Sequence, residues 1–227
     1  MSPEKRITKH QMKQDNFVTY ALKSSEYIRK NRNFFLIGVA AAVVIIAIIY
    51  FISYSFSRRN INAEEMFGKA QMATAMNQTD LAITDYKSIL DEFGSAKIAD
   101  KACYYLARLL YDLNNHDSAL VYFEKYINDY GKDNMLLGSA YNGAAICLED
   151  KKDYGRAGEY YFKAAQLAND EIFAPDYYMN AGRAYHLAGQ LDSAEKAYQV
   201  VADNYRQATG YNTARKKLAE IQYSKQK

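Results

Sequence analysis

The chain has no tryptophan, two prolines and two cysteines in 227 residues, and each shortage closes off a class of structure. With only Pro3, Pro175 and 11 glycines, long stretches are free of the residues that interrupt helices. Two cysteines cannot by themselves hold a structural zinc ion, which takes four ligands. The three histidines, His10, His116 and His186, lie in separate segments. There is no His-Glu-x-x-His pair, no Gly-x-x-x-x-Gly-Lys loop and no Gly-x-Ser-x-Gly elbow. The chain is therefore not expected to be an enzyme, nor to use a metal or cofactor. The formal net charge is only +3. Nucleic-acid binding would call for a basic stripe, so it too is disfavoured.

Charge is missing most conspicuously between Arg32 and Arg58. Within that gap, Phe34 to Ile52 reads FFLIGVAAAVVIIAIIYFI. Nineteen helical residues span about 28 Å, close to the hydrocarbon thickness of a bilayer. Thirteen of the nineteen are Phe, Leu, Ile or Val, each favouring insertion by roughly 0.3–0.6 kcal/mol. A buried core helix rarely needs so long an apolar run, and a cleaved signal would have a shorter head and a small-x-small exit. No cysteine follows the run at a position for lipid modification. An uncleaved single-span anchor over 34–54 is expected, with aromatic residues Phe34, Phe35, Tyr50, Phe51 and Tyr54 at its ends.

The head, residues 1–33, carries eight basic residues against three acidic ones, a net +5, so everything after it sums to −2. Positive residues favour the cytoplasmic side, which places the head inside and the body outside. Arg58 and Arg59 beyond the span blunt that contrast. Residues 15–30 read as a basic amphipathic helix, with Phe17, Val18, Ala21, Leu22 and Ile28 on one face. It would lie on the anionic leaflet, dock on a membrane partner, or serve only to orient the span.

The body is a repeat. Ala82-x3-Tyr86, Ala119-x3-Phe123, Ala157-x3-Tyr161 and Ala194-x3-Tyr198 recur at spacings of 37, 38 and 37. Each alanine follows a small residue by twelve positions: Ala70, Ala107, Ala145 and Gly182. A polar turn lies between. Helix, turn, helix, with small residues where the helices cross and an aromatic one turn later, is the tetratricopeptide pattern. Ala219, thirty-seven after Gly182, marks a last helix used as a cap. The expectation is an all-α chain: one transmembrane helix, a linker at 55–62, then an α-solenoid over 63–227. Its repeats lie near 63–96, 100–133, 138–171 and 175–208, with a cap at 211–225. Pro175 opens the fourth repeat, where a first-turn proline is tolerated. Cys103 and Cys147 fall at different heights in neighbouring first helices, so buried free thiols are expected rather than a disulfide.

In tetratricopeptide arrays, the second, fifth, ninth, twelfth and thirteenth positions of the first helices line a concave groove. In the third repeat that rule selects Glu149 and Asp150 among others. Aromatic, arginine and methionine side chains are the types that anchor peptide partners. On that ground Phe67, Tyr104, Arg108, Tyr111, Met179, Arg183 and His186 are the candidate partner-binding residues. A solvated face without a ligand is the alternative. Most of the 18 tyrosines beyond residue 54 are expected to be packing residues with a polar tip.

A short basic head, one span and a small helical repeat body resemble the YfgM-like family of ancillary subunits of the SecYEG translocon. SEYIRKNRNFFLIGVAAAVV at the membrane entry, NAEEMFGKAQMA after it and the repeats carry the resemblance, which covers nearly the whole chain. The head, KRITKHQMKQDNFVTYALK, looks like the variant found in Bacteroidota. The resemblance implies an inner-membrane anchor, a periplasmic body, association with SecYEG and a PpiD-like membrane-anchored prolyl isomerase, and a chaperone-like role for emerging chains. Two other readings stand beside it. One is a structural tether whose body is a spacer, and the other is an anchored receptor facing the cytoplasm.

Overall fold

The computed structural model describes Tyr20, Leu22, residues 29–168 and residues 172–225. The expected head helix over 15–30 lies outside the described residues, apart from Tyr20, Leu22, Arg29 and Lys30, which are helical. The chain divides into two compact units, Met1–Ser57 and Arg58–Lys227. Among the described residues every regular element is a helix.

Helix α1, Arg32–Ala75, is 44 residues long. It is long and apolar enough to cross a membrane, and none of its most apolar window is buried. The expected linker at 55–62 is helical instead. The reason is local: no glycine or proline occurs from Val39 to Phe67, so nothing stops the helix.

The second unit is built from helix pairs. The end of α1 packs on α2 (Thr79–Phe93) through Phe67 and Tyr86, while α3 (Ala99–Asp112) pairs with α4 (His116–Lys125), α5 (Asn134–Asp150) with α6 (Tyr154–Ala168), and α7 (Ala174–Leu187) with α8 (Leu191–Asn204). Helix α9, Tyr211–Lys225, packs on α8. Helix α4 ends in a π-helical turn, Tyr126–Tyr130. Pro175 sits in the first turn of α7, where its missing N–H costs nothing.

The turn inside each pair has one geometry. Asn77, Asn114, Lys152 and Gly189 have φ of 58°, 59°, 62° and 74°. These four positions recur at 37, 38 and 37, like the alanines. The amide one residue later reaches back five positions: Gln78 to Ala73, Asn115 to Leu110, Asp153 to Leu148 and Gln190 to Tyr185, at 2.8–2.9 Å. This is a Schellman closure, which satisfies carbonyls the helix end would leave orphaned. Asn and Gly enter the left-handed region at little cost, whereas Lys152 has no such licence.

The repeat positions read from the sequence are the core. Ala70, Ala107, Ala145, Ala82, Ala119, Ala157 and Ala194 are fully buried, and Gly182 is buried too. Tyr86, Phe123, Tyr161 and Tyr198 are 2–3% exposed. Close crossings explain the small residues. A Cβ added at Gly182 would lie 2.6 Å from the Tyr198 ring, and one at Gly143 would lie 2.5 Å from that of Phe123. Ala219, by contrast, is exposed, because no helix follows α9 among the described residues to cover it.

Candidate functional site

The seven candidate side chains separate by surroundings. Phe67 is only 8% exposed. Its ring packs 5.8 Å from both Tyr86 and Tyr105, joining the first repeat to the second. It presents no accessible face to a partner. Tyr104 is half-buried among Tyr105, Phe123 and Tyr126, with ring centroids at 5.6, 6.2 and 5.8 Å. Met179 is half-buried, and its Cγ would meet a Cβ on Gly210 at 2.8 Å. Arg108, Arg183 and His186 are exposed, and Tyr111 is half-buried.

Polar contacts join three of the repeats where their first helices end. Tyr111 stacks on His116 at 5.1 Å, and His116 Nδ1 meets Asp150 Oδ2 at 2.5 Å. One residue earlier, Glu149 receives Arg183 in a two-pronged pair, Nη1 to Oε1 at 2.8 Å and Nη2 to Oε2 at 3.0 Å. The Tyr161 hydroxyl donates to the same Glu149 Oε2 at 3.0 Å. Burial and the adjacent Glu149 carboxylate both push the Tyr161 hydroxyl pKa up, so it stays a donor. Tyr111 is raised as well, by desolvation first and by Asp150 second. Arg183 is held charged chiefly by its hydrogen bond to Glu149. The structure thus ties Tyr111 and Arg183 to consecutive acids of the third repeat.

Residue-type reasoning missed His116, Glu149 and Asp150 as members of this ladder. The signal was in the spacing. Asp117–Lys151 and Glu149–Arg183 are opposite charges 34 residues apart, Glu124–Arg156 are 32 apart, and the His116–Asp150 contact repeats the 34-residue offset. A charge pair offset by about one repeat is the cross-repeat equivalent of an i, i+4 pair on a helix.

The thiols are inert by environment. Cys103 is fully buried and its Sγ donates to the Tyr122 carbonyl at 3.4 Å. Burial pushes its pKa up to about 12, and that of Cys147 up to about 11. Both are free. No cluster of His, Cys, Asp or Glu that could hold a metal occurs among the described residues.

Two stretches, residues 101–133 and 176–208, match the model of a tetratricopeptide repeat. They coincide with the second and fourth helix pairs. No curated protein matches the chain by sequence. Among solved structures, the crystal structure of MamA protein superposes with a TM-score of 0.55 at 17% identity, over 72% of this chain and 82% of that one. A tetratricopeptide repeat protein from Parabacteroides merdae gives 0.57 at 12% identity, over 71% of this chain and 60% of that one. The apo form of RapI gives 0.50 at 15% identity, over 73% and 64%. At such identities the likeness is one of fold. The second unit has the fold of a tetratricopeptide solenoid, and repeats of this kind commonly serve as scaffolds for protein interaction.

Proposed function

We propose that this chain is an inner-membrane-anchored scaffold with its repeat body in the periplasm, where it binds partner proteins or emerging chains beside the Sec translocon. One observation carries the reading. A 19-residue apolar run with no buried residue precedes repeats in which Tyr104, Arg108, Tyr111 and Arg183 stay exposed or half-exposed. Water would not tolerate so large an apolar surface, and a bilayer would. The SecYEG and PpiD-like partners rest on the resemblance of the membrane entry and its following helix.

The orientation gains support from Arg59. Its Nη2 donates to the Glu92 carbonyl at 2.6 Å, near the C-terminal end of α2. A cation there satisfies an orphan carbonyl and complements the helix dipole. Arg59 therefore has a use within the fold, and its presence beyond the span need not signal a cytoplasmic body. The partner-binding surface is Tyr104, Arg108, Tyr111, Met179, Arg183 and His186, with Phe67 left in the core.

Protease accessibility in spheroplasts tests the orientation: the body should be digested, and a protected body would reject the periplasmic reading. Purification in mild detergent should bring down translocon components. Photo-crosslinkers at Arg108 and His186 should capture partner proteins. Crosslinks only from the span and head would favour a plain tether.

A further inference from the structure

We infer that Arg108 receives a carboxylate of the bound partner, either an acidic side chain or a chain terminus. This rests on the partner-binding reading above and gives that surface its ligand chemistry.

Three positions recur around each junction between repeats: one on a first helix, the aromatic of the second helix, and one on the next first helix. In the third junction these are Glu149, Tyr161 and Arg183, and they form a closed site. Arg183 Nη1 and Nη2 reach Glu149 Oε1 and Oε2 at 2.8 and 3.0 Å. The Tyr161 hydroxyl donates to Oε2 at 3.0 Å. The Glu149 side chain is only 16% exposed. A guanidinium and a carboxylate in this two-pronged geometry make hydrogen bonds of the stronger, charge-assisted kind.

The first junction repeats the frame without the acid. Thr74, Tyr86 and Arg108 each lie 75 residues before Glu149, Tyr161 and Arg183. The rings of Phe67 and Tyr105, 5.8 Å apart, hold the first two repeats in a stack. Tyr86 is 2% exposed and shares a hydrogen bond with Thr74. The Thr74 hydroxyl donates to the Ala70 carbonyl at 2.9 Å, and it brings no charge to the arginine. Arg108 is exposed and takes part in no ion pair among the described residues. Asp112, one turn further along α3, does not pair with it. Lys101, seven residues before Arg108 and so on the same face of α3, is exposed and without an ion pair too. Glu64 holds the register of Lys101 in the first repeat and pairs with neither cation.

The remaining junctions differ. The second holds Tyr111, Phe123 and Ile146, with no charge to match, and the fourth holds His186, Tyr198 and Glu220, which includes its own carboxylate. Only at Arg108 does a guanidinium stand in this frame without its acid. Glu149 is thus the fold's own copy of the ligand, and a partner carboxylate at Arg108 completes the first junction as Glu149 completes the third.

The full chain in mild detergent tests this with short fluorescein-labelled, alanine-rich peptides bearing one tyrosine, read by anisotropy. One peptide carries a glutamate and an amidated end, one a glutamine and a free terminal carboxylate, and one a glutamine and an amidated end. A carboxylate peptide should bind about tenfold more tightly than the uncharged one, and which of the two does so identifies the source. Arg108→Gln should abolish that preference. Thr74→Glu should abolish it as well, by supplying the acid from within the chain, whereas Arg183→Gln should keep it. Circular dichroism should show each variant folded, since Arg108 and Arg183 are exposed and Thr74 is half-buried. Equal binding of all three peptides, or a preference that survives Arg108→Gln or Thr74→Glu, would overturn the inference. Partner capture by a crosslinker at His186 alongside equal peptide binding would overturn it and leave the scaffold reading standing. A carboxylate preference lost in Arg108→Gln, with no partner captured at His186, would support it and reject that reading.

Discussion

Alanine at Gly182 and alanine at Gly68 are the same chemical change in the interior of a helix, and they should shift stability in opposite directions. Glycine in a helix interior is about 1 kcal/mol less favourable than alanine, so each substitution starts with that gain. At Gly68 nothing opposes it: the helix surface is open, with no atom within 4 Å of the new Cβ. At Gly182 the Cβ meets three atoms of the Tyr198 ring at 2.6, 2.7 and 2.8 Å. That ring is 3% exposed and has no room to swing away. Overpacking of this kind costs about 1–3 kcal/mol, and three contacts against one rigid ring belong near the top of the range. The net is a loss of about 1–2 kcal/mol for Gly182→Ala and a gain of about 1 kcal/mol for Gly68→Ala. For a unit of this size, each kcal/mol moves Tm by about 2–4 °C. Thermal melts followed by circular dichroism should therefore show Gly182→Ala lower by roughly 2–8 °C and Gly68→Ala higher by roughly 2–4 °C. Adding Tyr198→Leu should relieve the clash, so the double variant should be less destabilised than the two single losses summed. A Gly182→Ala protein as stable as the parent would refute the close-crossing account of the repeat.

Other outcomes follow from the turns, the ion pairs and the thiols. Lys152→Gly should stabilise by up to about 1 kcal/mol by removing a left-handed lysine, and Gly189→Ala should cost about 1 kcal/mol, both read from urea midpoints. Asp117, Asp192 and Glu195 have pKa values lowered first by hydrogen bonds from Lys151 or Lys225. Depressed carboxylates bind fewer protons folded than unfolded, so their contribution is present above the ordinary values of 3.8 and 4.5 and is lost as pH falls through the lowered ones. Denaturation midpoints should drop below about pH 4.5, and added salt should flatten the drop. Cys103 and Cys147 should resist iodoacetamide at pH 8 in the folded chain and react once it is unfolded in urea; rapid labelling of the native protein would contradict their burial.

Much of this molecule is legible in its sequence because repetition is a local signal. Length and composition alone mark Phe34–Ile52 as able to cross a bilayer. The spacing of Ala82, Ala119, Ala157 and Ala194 fixes the helix pairs, and the aromatic one turn later fixes what fills each junction. Those residues are buried in every repeat, so a period along the chain is a period in space. The ends and the groove escape that logic. Phe67 satisfies a groove rule yet lies in the core, because Tyr86 and Tyr105 close over it from two neighbouring helices. Arg183 reads as a free anchor from its residue type yet is held by Glu149 once the third and fourth repeats stack, a pairing that only their 34-residue offset hints at.

The sequence by itself determined the class of the chain: one apolar run able to span a membrane, four helical pairs and a basic last helix. Only the tertiary structure decided which of the repeated positions are covered. Met72 and Ile221 hold the same register, as do Ala145 and Ala219, and each pair differs because a helix lies over one member and not the other. A residue's phase on its own helix is written in its neighbours along the chain. Whether that face meets water or another helix depends on what packs beside it, and in a stack of repeats that differs only at the ends.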